Sequence, residues 1–262
     1  MKIACTDRKM YLTDTRGWTD EALSLGISCM EIAVGHLPED EAEQDEIISY
    51  ALSRGIELNL HAPFGINNIS SLDSERSRSS VANVKRSIDL AAKHGLGVVT
   101  FHPGRLSTED EDSASNIERM MNIVSDIAEY AKEKRVRVSL ENMERRPFEI
   151  IFTVDDLNRF AHLGEGNPYF GVTVDFAHYS SHGIGMPDLS ALKLPLFDVH
   201  LSQNVEGKMH RALTNEDGRL DISEVCRRLS EYGYDGMIVL EVIDNVFESC
   251  DILAREISAL KA

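Results

Sequence analysis

Long hydrophobic runs are absent from this sequence. No window approaches the roughly 20 apolar residues of a membrane-spanning helix, and the N-terminal MKIACTDRKM lacks the apolar core of a signal peptide. The four cysteines are scattered without a CxxC pair, which argues against a zinc ribbon or a disulfide framework and fits a reducing compartment. We therefore expect a cytoplasmic protein with no membrane partner.

Basic residues are also scarce. The chain has 27 lysines and arginines against 44 aspartates and glutamates, which gives a formal net charge of −17. Broad, nonspecific binding to a nucleic-acid backbone needs a basic surface that neutralises phosphates, so this composition disfavours it. Proline- and glycine-rich tracts are lacking, and a hydrophobic content of 42% is typical of a chain with a buried core.

The length of 262 residues suits one α/β barrel, which takes about 250 residues. Eight short apolar runs predict β-strands. They lie at residues 2–5, 29–33, 56–60, 98–101, 136–140, 169–174, 196–201 and 237–240. Strands that are apolar almost throughout are typically buried on both faces, as in a parallel sheet.

Helical patterns separate most of these strands. The clearest is a stripe of apolar residues at 3.6-residue spacing within 117–131, and similar stripes occur within 84–91, 222–229 and 253–260. Strand-helix alternation implies parallel strands, and eight such units without an obvious second domain predict a single (β/α)8 TIM barrel over residues 1–262. The crossover at 175–195 is expected to be loop-rich, with a short helical candidate at 188–192.

Histidines and acids recur just past the ends of short apolar runs. The segments are LNLHAP, VVTFHPG, VSLENM, VTVDFAH, FDVHLS, GKMH and IVLEV. A charged residue after a buried parallel strand points into the mouth of a barrel, where leaving it unpaired is costly. The residues concerned are His61, His102, Glu141, Asp175, His178, His200, His210 and Glu241. As a set, they predict a divalent-metal site and a metalloenzyme.

Each of these residues taken alone has a simpler interpretation, as a paired acid or a hydrogen-bonded histidine. Four other histidines serve as a comparison and are assigned no role. His94 and His162 lie away from strand ends, whereas His36 and His182 fall on loops within reach of the mouth. A mixed imidazole and carboxylate set without thiolate suits zinc, manganese or iron better than calcium.

Six motifs then carry a family resemblance. HAPF at 61–64, FHPG at 101–104, LEN at 140–142, DFAH at 175–178, VHLS at 199–202 and LE at 240–241 together resemble the xylose isomerase-like TIM-barrel superfamily. That superfamily includes sugar isomerases and epimerases, and endonuclease IV-like enzymes that incise DNA at abasic sites. The resemblance runs through essentially the whole chain, in order.

The sugar-enzyme branch implies one metal held by Glu141, Asp175, His200 and Glu241. In that branch Glu141 and Glu241 are the catalytic pair, which exchanges a proton at the carbon next to a metal-bound carbonyl. The resemblance therefore implies a metal-dependent isomerase or epimerase whose partner is a small sugar or sugar phosphate.

The endonuclease branch implies a trinuclear zinc cluster and gives the alternative function, a zinc phosphodiesterase acting on abasic DNA. All eight residues named above fall on ligand positions of that cluster. Phe64 and Asn67 stand where the branch has a tyrosine and an asparagine, and Arg105 is a candidate for binding a substrate phosphate. Arg145 and Arg146 are more simply solvated or paired with nearby acids.

Two departures from the nuclease pattern decide our expectation. An aspartate precedes the last histidine of that pattern by two residues, where this chain has Lys208, and Gln203 replaces another common aspartate. A protonated lysine cannot ligate zinc, and its charge repels a further cation. We therefore expect one or two ions of zinc or manganese rather than three, and favour isomerisation or epimerisation. A noncatalytic metal-binding module does not explain two carboxylates around a Lewis acid.

Overall fold

Strands and helices alternate along the chain and close into a ring. The computed structural model describes residues 1–6 and 15–260. The described strands are β1 (Lys2–Thr6), β2 (Cys29–Ala33), β3 (Glu57–His61), β4 (Val98–Phe101), β5 (Arg137–Glu141), β6 (Phe170–Asp175), β7 (Leu196–Leu201), β8 (Gln203–Val205), β9 (Lys208–Arg211) and β10 (Met237–Leu240). The described α-helices are α1 (Thr15–Ser24), α2 (Glu41–Ser53), α3 (Ser74–His94), α4 (Ser113–Lys134), α5 (Val154–Asn158), α6 (Phe176–Ser180), α7 (Ile222–Tyr232) and α8 (Val246–Ala259).

Eight of these strands form a closed parallel barrel. The order around the ring runs from β1 to β7 and then to β10, which pairs back with β1. This confirms the predicted (β/α)8 TIM barrel. Strands β8 and β9 lie outside the ring and pair antiparallel as a hairpin after β7.

The observed strand ends differ from the predicted ones by one residue at several places. The strands predicted at 56–60, 136–140 and 169–174 are observed as β3, β5 and β6, each beginning and ending one residue later. His61, Glu141 and Asp175 are therefore the last residues of their strands and not the first residues of loops. A side chain on a barrel strand is positioned more rigidly than one on a loop.

The predicted apolar stripe at 117–131 forms one buried face of α4. Asp112 caps this helix by accepting a hydrogen bond from the Ser115 N–H at 2.8 Å. Met120, Val124 and Ala131 are fully buried. Packing of such a face against the barrel, more than intrinsic helix propensity, stabilises a helix of this kind.

The crossover between β6 and β7 contains a helix that the sequence did not predict. Helix α6 follows β6 without a gap because Asp175 ends the strand and also caps the helix, accepting from the His178 N–H at 2.7 Å. The predicted helical candidate at 188–192 is a single 3-10 turn, Leu189–Ala191. Elements this short carry no 3.6-residue periodicity, so pattern alone cannot detect them.

A layer of hydroxyl groups lies inside the barrel on three adjacent strands. Thr173 Oγ1 is 3.0 Å from Thr100 Oγ1 and 2.6 Å from Ser139 Oγ. All three side chains are fully buried, and their mutual hydrogen bonds offset the cost of removing them from water. Side chains two residues apart on a strand share a face, so this layer lies under Glu141 and Asp175.

We expect Gly171→Ala to destabilise the barrel. A Cβ at this position of β6 would lie 2.6 Å from the Pro195 carbonyl oxygen and 2.5 Å from the Phe197 ring, so backbone must shift to admit it. Overpacking of this kind costs about 1–3 kcal/mol of unfolding free energy. Chemical denaturation measures the difference. Gly35→Ala is the matched control, because its added Cβ meets Pro63 at an ordinary 3.6 Å. Equal stability of the two variants would contradict the expectation.

Within residues 1–6 and 15–260, no helix has both the length and the apolar character needed to cross a membrane.

Candidate metal centre

Six barrel strands bring imidazoles and carboxylates to one end of the barrel. His61 ends β3, His102 follows β4, Glu141 ends β5, Asp175 ends β6, His200 lies in β7 and Glu241 follows β10. The carboxyl ends of parallel strands in this fold face one shared mouth. The structure thus places these six predicted residues around a common centre.

The carboxylate of Glu141 lies at the middle of the cluster. Its Oε2 atom is 3.1 Å from His102 Nε2 and 3.3 Å from His61 Nε2, and its Oε1 atom is 3.1 Å from His200 Nδ1. The carboxylate is fully buried. A buried negative charge needs positive charge beside it, which protons on the imidazoles or a cation can supply.

Among the described residues, five groups of ligand atoms are compact enough for an ion, each with all its atoms within 4.8 Å of one another. Two of these groups share Glu141 and contain only residues that the sequence predicted as ligands. They are Glu141, Asp175, His200 and Glu241, and His61, His102 and Glu141. Ligands at about 2.0–2.2 Å from one zinc ion lie roughly 3–4 Å apart. Small movements of the side chains therefore suffice to close either group around a cation.

For His61 and His200, hydrogen bonds determine which ring nitrogen faces the cluster. His61 Nδ1 is 2.8 Å from the Ala62 carbonyl oxygen, which only accepts, so Nδ1 carries the proton and Nε2 faces Glu141. His200 Nε2 lies 3.3 Å from Glu31 Oε2. Glu31 therefore holds the proton on Nε2 and leaves His200 Nδ1 as the ligand atom.

The crowded acids keep protons on His61 and His200, whereas burial lowers the pKa of His102. Burial disfavours the charged form of His61, but its hydrogen bond to Glu141 and the neighbouring carboxylates raise its pKa to about 9. Burial also opposes the charged form of His200, yet Glu31 and other acids raise its pKa well above the ordinary value. Burial raises the pKa of Asp175 to about 7. A divalent cation would replace these protons.

Unpartnered atoms test whether the residues fit a metal. Among the described residues, three buried side-chain atoms have no hydrogen-bond partner, namely Thr6 Oγ1, Asp175 Oδ2 and His178 Nε2. Leaving such an atom unsatisfied costs about 1–3 kcal/mol. A carboxylate oxygen and an imidazole nitrogen are both ordinary ligand atoms for zinc or manganese. The donor set therefore fits a divalent cation.

His178 and His210 adjoin this cluster from outside the barrel strands. His178 lies in α6 and His210 in β9, so the expectation that GKMH follows a buried strand like the other segments is wrong. The hairpin strand before it, QNV, is short and mostly polar. His210 has a φ of 60°, a left-handed conformation that is uncommon outside glycine. Lys208, expected to repel a further cation, is exposed.

A cavity of about 190 Å³ opens at the mouth above the cluster. Glu31, His61, His102 and Glu241 form part of its wall, whereas Glu141 lies beneath it. Most ligand pockets measure roughly 300–1,000 Å³, so this cavity suits a small substrate.

Phe64 and Arg105, two of the predicted substrate-binding residues, line this cavity. Phe64 is 42% exposed, and the centre of its ring lies 5.2 Å from that of the His61 ring. Arg105 donates through Nη2 to the Gly65 carbonyl oxygen at 2.9 Å, and its Nη1 is 3.8 Å from a carboxylate oxygen of Glu149. Burial raises the pKa of Glu149 to about 7.

Asn67, the third predicted substrate-binding residue, is engaged within its own loop. Its Nδ2 donates to the Phe64 carbonyl oxygen at 3.2 Å, and its Oδ1 accepts from Asn83 at 2.8 Å. It is not among the residues that line the cavity. Its contact with a substrate stays a prediction.

The four histidines without an assigned role occupy different surroundings. His94 is hydrogen-bonded to Asp45 at 2.8 Å, and His162 lies in a 3-10 turn. His36 lines the cavity, and His182 Nε2 is 3.2 Å from a backbone carbonyl oxygen.

Three buried acids of this region were missed by the sequence reasoning. Glu31 lies in β2, Asp198 in β7, and Glu144 in the loop after β5. Asp198 is two residues before His200, so both side chains point to the same face of the strand. A charged residue within a predicted buried strand is the signal that identifies Glu31 and Asp198. Glu144 has no such signal.

Comparison with known proteins defines the family. Residues 19–262 match the family model described as xylose isomerase-like TIM barrel. The chain belongs to this family. It is 25% identical over 197 residues to an uncharacterized protein of Methanocaldococcus jannaschii, an alignment that covers 71% of this chain and 64% of that protein.

Two other similar proteins have names that describe an enzyme activity. A probable endonuclease 4 of Mycoplasma mycoides subsp. mycoides SC is 25% identical over 191 residues, which cover 72% of this chain and 62% of that protein. The chain thus aligns with less than two thirds of the length of these relatives. A crystal structure of a D-tagatose 3-epimerase-like protein superposes with a TM-score of 0.84 at 20% identity and covers 100% of both chains. This likeness shows the shared fold.

Proposed function

We propose that this member of the xylose isomerase-like TIM barrel family is a metal-dependent isomerase or epimerase of a small sugar or sugar phosphate. One observation carries the proposal. Glu141, Asp175, His200 and Glu241 converge within 4.8 Å at the base of a cavity of about 190 Å³. This arrangement combines a cation site that contains two glutamates with room for a small molecule. The epimerase-like protein of the same fold is consistent with that chemistry.

A divalent cation bound to this set supplies Lewis acidity, which polarises a carbonyl and lowers the barrier to removing the neighbouring proton. Glu241 faces the cavity and accepts that proton from carbon. The positive charges of His200 and His210 outweigh burial and lower the pKa of Glu241 to about 2, so this base is ionised at neutral pH. Glu141, the other glutamate of the set, would deliver a proton taken up from solvent to the opposite face of the same carbon, and Glu241 would release the proton it accepted to solvent.

Two residues at the cavity wall position the substrate. The exposed face of Phe64 packs against the carbon-bound hydrogens of a sugar ring or chain. The Arg105 guanidinium binds a hydroxyl or phosphate oxygen. His61 and His102 hold the Glu141 carboxylate in place from the side away from His200, through its Oε2 atom.

Proton exchange with solvent is the direct test. Protein loaded with Mn²⁺ or Zn²⁺ is incubated in deuterated water with a panel of ketoses, aldoses and their phosphates, and the sugars are examined by NMR. We expect at least one sugar to gain deuterium at the carbon next to its carbonyl, together with the isomerised or epimerised product. Loaded protein that labels none of the panel would refute the proposal.

A second candidate function is a zinc phosphodiesterase that acts on abasic DNA. It is favoured by the group of His61, His102 and Glu141, which offers a cation site sharing Glu141 with the first, and by the probable endonuclease 4 among the relatives. The net charge of −17 weighs against it. Incision of a duplex containing one abasic site, without any sugar labelling, would establish this function in place of the first.

A further inference from the structure

Large apolar side chains are exposed mainly at the mouth of the barrel. Among the described residues nine such side chains are exposed, and six of them lie on connections that leave the carboxyl end of a barrel strand. These six are Phe64, Ile66, Leu72, Phe148, Ile184 and Ile243. Apolar side chains that are exposed singly need no explanation, whereas a contiguous apolar patch marks an interaction site.

Arg105 joins the loops after β3 and β5 at the wall of the cavity. Its Nη2 atom donates to the Gly65 carbonyl oxygen at 2.9 Å, and its Nη1 atom lies 3.8 Å from Glu149 Oε1. The Leu106 N–H donates to the Phe148 carbonyl oxygen at 2.9 Å. The loop after β4 therefore holds the other two loops beside each other, where Arg105, Gly65 and Glu149 all line the cavity.

Phe64, Ile66 and Phe148 form an apolar patch on these joined loops, the rim patch. Phe64 and Ile66 flank Gly65, and Phe148 precedes Glu149. Ile66 is 77% exposed and Phe148 is 37% exposed. Phe64 also lines the cavity, so the rim patch is continuous with the place where a substrate would bind.

Phe148 is held in an unfavourable backbone conformation. Its φ of 74° is left-handed, which makes a bulky residue an outlier. The ring is in addition partly exposed to water, where an apolar side chain gains nothing from burial. Backbone strain of this kind concentrates at binding sites, where the surrounding structure enforces it. The strain therefore points to a function for an aromatic ring at this position.

The size of the cavity limits what it can hold. Its volume of about 190 Å³ is smaller than most ligand pockets and suits a single sugar unit. A second ring attached to that unit would have to lie outside the cavity, and the rim patch is the adjoining surface. Aromatic and aliphatic side chains pack well against the C–H face of a sugar ring. The three side chains carry no charge, so a neutral ring fits them better than a phosphate.

We propose that the substrate is a sugar that carries a second sugar ring, with the carbonyl-bearing unit in the cavity and the second ring on the rim patch. For the unit in the cavity this inference rests on the proposed function. The second ring gains affinity from Ile66 and Phe148, which lie beyond the metal ligands and take no part in proton transfer.

Binding measured by NMR tests the proposal without any turnover. Zn²⁺-loaded protein is titrated with fructose, maltulose and isomaltulose, and with glucose, maltose and isomaltose, while saturation-transfer spectra report binding. We expect the disaccharides of at least one set to bind more tightly than the single sugar and to receive saturation on the second ring. Phe148→Gly should weaken disaccharide binding about five- to tenfold and change single-sugar binding by less than about twofold.

The variants are chosen so that folding does not decide the result. Glycine adopts a φ of 74° without cost, so Phe148→Gly should melt no lower than wild type. Ile66→Ser changes a side chain on the surface and should weaken disaccharide binding in the same direction. Tyr232→Ala is the matched control, because Tyr232 is also 37% exposed but ends α7, which leads into β10 at the opposite end of the barrel.

Disaccharides that bind no more tightly than single sugars, or that bind Phe148→Gly as well as wild type, would overturn the proposal. A wild-type dimer that dissociates in Phe148→Gly, measured by light scattering, would assign the rim patch to a second copy of the chain and would also overturn it. Deuterium labelling of single sugars without patch-dependent binding would uphold the proposed function alone. Patch-dependent binding without labelling would retain the disaccharide site and refute the isomerase or epimerase. No binding of any of the six sugars would refute both.

Discussion

Glu241→Gln is expected to lower the turnover number by about 10²–10⁴-fold, the usual contribution of a general acid or base. Glu241 is the carboxylate of the proposed catalytic pair that lines the cavity, and the amide cannot accept a proton from carbon. The measurement is a steady-state assay on the sugar identified by deuterium labelling, with the protein saturated in metal. Saturation matters because Glu241 also belongs to the ligand set.

Glu248→Gln provides the matched control for this experiment. Glu248 is exposed on α8, a few residues along the chain from Glu241, and should retain wild-type turnover. Glu141→Gln should lose turnover and also bound metal, because its buried carboxylate adjoins three imidazoles. A fully loaded Glu241→Gln protein with the wild-type rate would remove Glu241 from the mechanism.

Metal affinity is expected to rise steeply with pH. His61, with a pKa raised to about 9, and Asp175, with a pKa raised to about 7, hold protons that a cation must displace. Each proton displaced costs about tenfold in affinity for every pH unit below its pKa. Calorimetry in buffers of different ionisation enthalpy counts the protons released. Affinity that stays constant between pH 6 and pH 9, with no proton release, would contradict this expectation.

The metal-free protein is expected to show the opposite trend. A pKa raised in the folded state contributes stability that is complete below the unfolded value of about 6.5 for histidine and is lost as the pH rises through the folded value. His61 therefore stabilises the metal-free barrel at pH 6, and this contribution disappears as the pH passes about 9. The increase in melting temperature on adding Zn²⁺ should accordingly be larger at pH 9 than at pH 6.

The barrel was predictable from sequence because its signals are repetitive. Apolar runs of four to six residues alternate with amphipathic helical stripes along the chain. Each of the eight runs supplies one strand of the closed barrel. Elements without periodicity were not predictable. Helix α6 is too short for an apolar pattern, and its position is determined by the cap that Asp175 provides.

The candidate site was predictable to the extent that its residues end barrel strands. His61, Glu141 and Asp175 are recognisable in the sequence because each is a polar residue at the end of an apolar run. Glu31 could have been found as an acid within a buried strand, but Glu144 could not. Its position beside His178 and His210 depends on how a loop, a five-residue helix and a hairpin meet in space. Such long-range arrangement has no local pattern in the chain.

Backbone carbonyl oxygens accept hydrogen bonds from the rings of His61, His178 and His210 and so couple the orientation of these rings to the folding of the chain. Because folding itself orients these rings, the entropy of ordering them is lost before any cation arrives, and this cost would not lower the affinity for a metal ion. Local unfolding of these backbone segments would therefore also disorder the rings. Partial loosening of the hairpin or of the loop after β5 would release His210 or His178 first, so a metal ion bound to these rings should be lost before the barrel unfolds.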